Sequence, residues 1–459
     1  MKWQKLLSKK RFNVSGDTSD KDASRSPWLV DLDRVTFSSN FRRLQGKTQV
    51  HPLDQHAQVR TRLTHSFEVA SVGRSLGYRI GQDIVPKYKL KKNGISEDDF
   101  GYIVQVACLA HDIGNPPFGH AGEDAIGYFF RANADWIFDE SVSSEIRNNL
   151  EHFEGNAQGF RILNNSTSWR DQGGLRLTYS TLGTFCKYPR QAILEKKYKI
   201  GTWVGDRKCG IYDSESAIWH EVTQELGLIK RYDNINLWAR HPFAFLVEAA
   251  DDICYSVIDL EDGVNVGAIS FAEAEKLLVP IARHPTKYGK TKRLQNLQGE
   301  SWYKRMTTAE KLDFLRGKAI GNLIDEVVYI FTKNEAQILA GQFNNELLGE
   351  TIFGKDITTA KNYAYRNVFL SPQKLEVEIA ASDILGGLLN AFCRAFVDIS
   401  QNTAQNAAPK SAQLLKILDH PLSGLESREH ALLQICDFIS GMTDQHAVNL
   451  YRKISGISI

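Results

Sequence analysis

Residues 100–113 read FGYIVQVACLAHDI. Apolar side chains stand at 103, 104, 106, 107, 109 and 110, all round a helix rather than along one stripe, which predicts a buried central helix. The stretch ends on His111 and Asp112. Gly114-Asn115-Pro116-Pro117 follows, and reads as a helix stop, a turn and a restart. An ionised Asp at the end of an apolar helix is costly unless something pairs with it, and a metal ion is one such partner.

The pattern continues on both sides. Leu63 to Ile80 has apolar residues at 63, 67, 69, 72 and 76, near helix period, with Thr61 or Thr64 available as a cap. It contains His65. Residues 240–262 form another helix with two stripes. Leu246, Ala250, Ile253, Val257 and Leu260 make the apolar one. Glu248, Asp251, Tyr255, Asp259 and Asp262 make a polar one, either a solvated face or a carboxylate stripe facing a cleft. Long amphipathic helices are expected over 307–345 and 373–400, with a polar loop at 401–412 and two more helices after it. Residues 164–174 are turn-like. Strand signals are sparse. Only 196–212 (KKYKIGTWVGDRKCGIY) alternates, with three glycines, and is a candidate for a small β-hairpin. The fold class is therefore all-α.

The chain has 459 residues, enough for a large core without disulfides. A 42% apolar and 24% charged composition excludes a mainly disordered or collagen-like chain. The net charge of +2 excludes a strongly basic nucleic-acid coat. Six scattered cysteines without a CxxC read as reduced thiols, so a cytoplasmic protein is expected. The basic N-terminus lacks an apolar h-region, and no apolar run reaches the length of a membrane span. Residues 1–26 read as a polar leader that orders only by docking on the body. There is no repeat and no Gly-rich phosphate loop.

Nitrogen and carboxylate groups such as His65, His111, Asp112 and Asp251 suit a borderline or hard divalent ion. A lone His-Asp pair is weak evidence, and a lone helix His is usually a core residue. A second feature is PPFGHAGE at 116–123. His120 and Glu123 stand three apart at a helix start, so they share a face, and an imidazole held by a carboxylate is a common acid/base arrangement. Its bland reading is an ordinary first-turn Glu. Glu151, His152 and Glu154 crowd a third site, or else a capped helix end.

At these residues the chain resembles a known family. The order His65, His111-Asp112, Asp251 looks like the H…HD…D signature of HD-domain phosphohydrolases. More narrowly, several strings resemble the bacterial deoxyguanosinetriphosphate triphosphohydrolase (dGTPase) family. They are FRRLQGKTQV at 41–50, RTRLTHSFEVA at 60–70, LAHDIGNPPFGHAGE at 109–123 and HFEGNAQGFRIL at 152–163. LTYSTLGTFCKYP at 177–189, EAADDICYSVIDLEDG at 248–263 and CDFISGMTDQHAVNLYRK at 436–453 continue the order. The matches run from about residue 28 to the C-terminus.

The resemblance implies an HD-domain core over 27–263, with 264–459 as C-terminal helices packed on it. It implies hydrolysis of dGTP, and of other dNTPs, to deoxynucleoside and inorganic triphosphate. His65, His111, Asp112 and Asp251 would hold the metal, Mn²⁺ or Mg²⁺ first, with Fe²⁺, Ni²⁺ and Zn²⁺ as alternatives. His120 would be the catalytic acid, oriented by Glu123. His152 would be a further active-site His. Arg62 and Lys187 would contact phosphates, Gln49 the sugar 3′-hydroxyl, and Tyr255 and Asp259 the sugar pocket. One departure stands out. The related vertebrate SAM-and-HD-domain dNTPase has Lys directly after the last metal Asp, and this chain has Asp252. A homo-oligomer is implied, a hexamer favoured, and an allosteric dNTP is left open. Two competing readings remain. One is an HD-type 5′-nucleotidase. The other is a nucleotide- or ssDNA-binding regulator that uses the basic stretches 87–92 and 285–293.

Overall fold

A computed structural model of the chain describes residues 1–12, 25–49, 60–165, 174–192, 201–285, 296–369, 372–402 and 408–457. Among them the regular elements are helices, and pairing between extended segments is limited to isolated bridges such as Arg190 with Leu237. The all-α expectation holds. The hairpin does not form in the described part of its range: 201–212 is turns and irregular chain. The Asp206 carboxylate accepts from the Gly201 and Trp203 amides at 3.0 and 2.9 Å, which curls the segment back on itself instead of extending it.

The centre is a pair of helices, Arg62–Lys87 and Glu97–Ala110. The first runs seven residues past Ile80, because Gly81 to Lys87 keeps the apolar spacing with Ile84 and Val85 buried. Thr61 and Thr64 form a capping box at its start, and Ser96 and Asp99 form another on its partner. The two backbones approach closely at Gly77, where a Cβ would sit 2.5 Å from the Phe100 carbonyl oxygen. The Ala244–Asn265 helix packs across both. Its apolar stripe, Leu246 to Leu260, is buried.

The described part of the leader docks on this core. Trp3 is 1% exposed, stacks near Phe100 and Phe243, and donates its indole N–H to Glu335 at 2.8 Å. The tryptophan and leucines of WQKLL are the apolar anchors of an otherwise polar stretch. Residues 13–24 lie outside the described set.

The core is split in two. The larger cluster joins the N-terminal anchor, the central pair and the helices through Val368. The smaller one joins residues 118–153 to residues 381–447. So the His120–Ala132 helix shares its core with the C-terminal helices as well as with the segments that follow it through Phe153. Leu375–Gln401 is long and apolar enough to cross a membrane, which the run-length reading did not register. Its apolar residues Leu385, Leu388, Leu389, Phe392 and Phe396 are buried in this second core.

Candidate metal and phosphate site

The helix of residues 97–110 ends one residue before His111, which caps it, and Asp112 lies in the turn that follows. His111 Nδ1 is 2.6 Å from the Cys108 carbonyl oxygen. That nitrogen must carry the proton and donate, which leaves the Nε2 lone pair facing inward. Nε2 lies 3.7 Å from Asp251 Oδ1. His65 Nε2 lies 3.2 Å from the same oxygen. One ligand atom from each of His65, His111 and Asp251 lies within 4.8 Å of the others. Two imidazoles and a carboxylate converging this tightly fit a divalent ion. Asp112 stands at the edge. Its Oδ1 is 3.6 Å from His111 Nε2, but its carboxylate already accepts from Arg62 at 2.8 Å and from Asn115.

Electrostatics agrees with this packing. Burial pushes Asp112 up, yet Arg62, His111 and His65 override it and hold the group at about 2. Asp251 is held well below the carboxylate range against the same burial penalty, by its hydrogen bond to His65 and by His111. Burial also opposes charge on His65, but the bond to Asp251 outweighs it and the pKa is raised.

The cluster opens into a cavity of about 700 Å³. Gln49, Arg62, His111, Asp112, His120, Glu123, Lys187, Asp251 and Tyr255 line it. His65 is 2% exposed and sits behind the wall. Two lysines invisible to the sequence reading also reach in: Lys208, and Lys361 from the Gly354–Ala364 helix. Each of the four cations leans on a carboxylate. Arg62 pairs with Asp112 at 2.8 Å, Lys187 with Glu248 at 3.7 Å, Lys208 with Glu154 at 3.0 Å and Lys361 with Asp252 at 2.6 Å. A lysine has three donors, so each keeps some for a ligand. Asp252, the departure from the vertebrate pattern, thus draws in a lysine from more than a hundred residues away. Seven carboxyl groups against four side-chain cations line the cavity, and the acidic groups outnumber the cations even with Glu123 neutral. That excess of negative charge suits a bound divalent ion.

The polar stripe of residues 248–262 is not a solvated face. Glu248, Asp251 and Tyr255 face the cavity, while Asp259 and Asp262 are 3% and 2% exposed beyond it. Asp262 is held by Arg60. Asp259 does not line the cavity and acts on His65 through its charge.

Two further expected placements change, those of Glu123 and His152. Gly119 turns the chain at φ 61° and ψ −130°, with Arg62 Nη2 2.6 Å from where a Cβ would stand. His120 starts the helix beyond and sits in the cavity mouth. Loss of hydration, then Arg62 and Lys208, push its pKa down. Glu123 does not hold His120. Its Oε1 accepts from the Gly155 amide at 2.9 Å, because the next helix begins there with unsatisfied N–H groups. Burial and the neighbouring Glu154 raise its pKa. His152 is exposed, caps the Ser144–Glu151 helix and bonds the Asn148 carbonyl at 3.1 Å. It does not line the cavity. Glu154, two residues on, is the residue that reaches it, through Lys208. Of the basic stretches, Lys91 pairs with Glu97 at 2.9 Å and Lys87 with Glu335, and residues 286–295 lie outside the described set.

The helical body carries a His/Asp cluster of a kind that could hold a divalent ion. The HD domain family model matches residues 62–177, and the Phosphohydrolase-associated domain model matches residues 350–453. Asp251 lies between the two ranges. The chain is 39% identical to a deoxyguanosinetriphosphate triphosphohydrolase-like protein of Synechocystis sp., covering 100% of both chains. It is 39% identical to a protein of the same description from Pseudomonas aeruginosa, covering 100% of this chain and 99% of that one. It is 31% identical to the deoxyguanosinetriphosphate triphosphohydrolase of Salmonella paratyphi A over 93% of each. The chain belongs to the deoxyguanosinetriphosphate triphosphohydrolase-like family of HD-domain proteins.

Proposed function

We propose that the chain hydrolyses deoxynucleoside triphosphates, dGTP among them, at the α-phosphate, releasing the deoxynucleoside and intact triphosphate. The observation that carries this reading is the cavity itself. It joins the His/Asp cluster to four cations from four separate segments, more than one phosphate group needs. His65, His111 and Asp251, with Asp112 beside them, would hold a divalent ion. Mn²⁺ is the first choice, because Mg²⁺ favours all-oxygen surroundings. Bound there, the ion would supply positive charge to the α-phosphate oxygens.

The protein groups do the rest. Arg62, Lys187, Lys208 and Lys361 bind the triphosphate tail and fix its direction. Water attacks phosphorus, the bond to the sugar 5′ oxygen breaks, and that oxygen needs a proton. His120, at the cavity mouth with Arg62 and Lys208 acting on it, is the donor. Gln49 keeps a buried Oε1 that has no hydrogen-bond partner among the described residues, and a sugar 3′-hydroxyl would satisfy it.

Tyr255 is assigned to exclude a 2′-hydroxyl by packing under C2′. Tyr255→Ala is then expected to raise turnover of GTP relative to dGTP by about tenfold or more. Unchanged rejection of GTP would sink that role.

The test of the reaction is a Mn²⁺-supplemented assay of the four dNTPs, with dGMP and GTP as controls, resolving both products. Deoxynucleoside with intact triphosphate supports the proposal and ranks the bases. Orthophosphate from dGMP moves the assignment to a nucleotidase. Turnover that appears only in dNTP mixtures identifies a nucleotide activator. Sedimentation of the same preparation reads the homo-oligomer that the resemblance implies.

A further inference from the structure

One carboxylate near the C-terminus fastens two walls of the cavity at once. Asp444 opens the Asp444–Ile454 helix and is 2% exposed. Its Oδ2 accepts from the Thr48 amide at 3.1 Å and from the Thr48 hydroxyl at 2.6 Å. Its Oδ1 accepts from the Phe118 amide at 3.0 Å. Thr48 precedes Gln49, and Phe118 is two residues before His120. Phe118 has a φ of 65°, a left-handed backbone that a bulky residue rarely adopts unless something holds it. The hydrogen bond from its amide to Asp444 is one such restraint.

A buried lysine completes the clasp. Lys47 Nζ donates to the Asn115 carbonyl at 2.6 Å and to the Ser440 carbonyl at 2.7 Å. Asn115 in turn donates its side-chain amide to Asp112. Lys47 is 2% exposed, so these contacts are not interchangeable with water. None of this machinery lies on the metal-bearing helices: Lys47 precedes them, and Ser440 and Asp444 reach the site from the C-terminal segment.

We infer that Asp444, with Lys47, is a positioning residue for the reaction: it sets the placement of Gln49 and His120 without touching the substrate. The inference rests on the triphosphohydrolase reading above. It gives the C-terminal helices a task in catalysis beyond filling a core.

The test compares Asp444→Asn, Thr48→Val and Thr48→Ser with wild type in the dNTP assay, well below each melting temperature. Asparagine keeps the shape of Asp444 but turns an N–H₂ toward one of its donors. Asp444→Asn is expected to lower kcat by about tenfold or more and to raise KM, since small misplacements of reacting groups are costly. Mn²⁺ affinity should stay within twofold of wild type. Thr48→Val should lose activity in the same direction, and Thr48→Ser, which keeps the hydroxyl, should recover most of it. A control tie from the same C-terminal region is Asp437, which holds Arg161 and Gln158 away from the cavity. Asp437→Asn should lower Tm and leave kcat and KM alone. If Asp444→Asn does not fold, the Thr48 pair carries the test. The inference is overturned if Asp444→Asn or Thr48→Val lowers Tm while kcat and KM stay within twofold of wild type. Absence of turnover by wild type would instead overturn the reaction itself, and this inference with it.

Discussion

Asp251→Asn is expected to bring dNTP turnover down by at least about a thousandfold and to abolish tight Mn²⁺ binding, because it removes the one carboxylate at the heart of the cluster. The reason is geometric and electrostatic together. Both His65 Nε2 and His111 Nε2 converge on Asp251 Oδ1, at 3.2 and 3.7 Å. An amide offers a weaker, neutral donor at that point, and Asp112 cannot replace it while it is engaged by Arg62 and Asn115. Asparagine has the shape of aspartate, so the fold should survive. Calorimetric titration with Mn²⁺ beside the product assay checks both parts. Asp251 also raises the pKa of His65. A proton therefore competes with the ion for Nε2, and wild-type metal affinity should weaken as pH falls through that raised pKa. The variant should lose much of this slope. Turnover within tenfold of wild type would remove Asp251 from the metal site.

His120→Asn should lower kcat by about 10²–10⁴ with KM for dGTP changed only a few-fold, the signature of a lost general acid rather than a lost binding group. The pH profile separates this from a packing defect. In the free enzyme burial, Arg62 and Lys208 hold the His120 pKa below the ordinary 6.5. An acid must be protonated to act, so kcat/KM should fall as pH rises through that lowered value. A bound triphosphate brings negative charge beside the same imidazole and raises its pKa, so the fall in kcat itself should lie at higher pH. In His120→Asn this alkaline limb should be absent. A variant that keeps wild-type kcat, or the same limb, would show that the proton comes from elsewhere.

Much of this was legible before any tertiary structure. All-round apolarity at 103–110 specified a buried helix. The polar residues that interrupt it had to be there for a reason, because burying them unpaired is costly. His65, His111 and Asp251 are 46 and 140 residues apart in turn. Yet each could be picked out as a polar group on an apolar helix, and the fold brings them together. Arg62, Lys187, Gln49 and Tyr255, singled out by the family resemblance, line the cavity beside this cluster.

What failed were the partners. Sequence spacing says which residues share a helix face, not what stands opposite. Glu123 shares a face with His120, but the free amide of Gly155 claims its carboxylate. His152 sits beside the site in sequence and outside the cavity in space, because the chain turns at residues 152–154 before the next helix begins. Nothing local to Lys208, Lys361 or Asp444 says that they reach the cavity or what they pair with there. They matter only because the second core carries the C-terminal helices back against residues 118–153, and because the Gly354–Ala364 helix packs on the Ala244–Asn265 helix. Hydrophobic periodicity is a local property, so the sequence by itself determined the helices and the metal-binding residue types. Charge pairing across the cavity depends on how those helices pack, and only the tertiary structure decided which carboxylate holds which cation and which loops the C-terminal segment clamps.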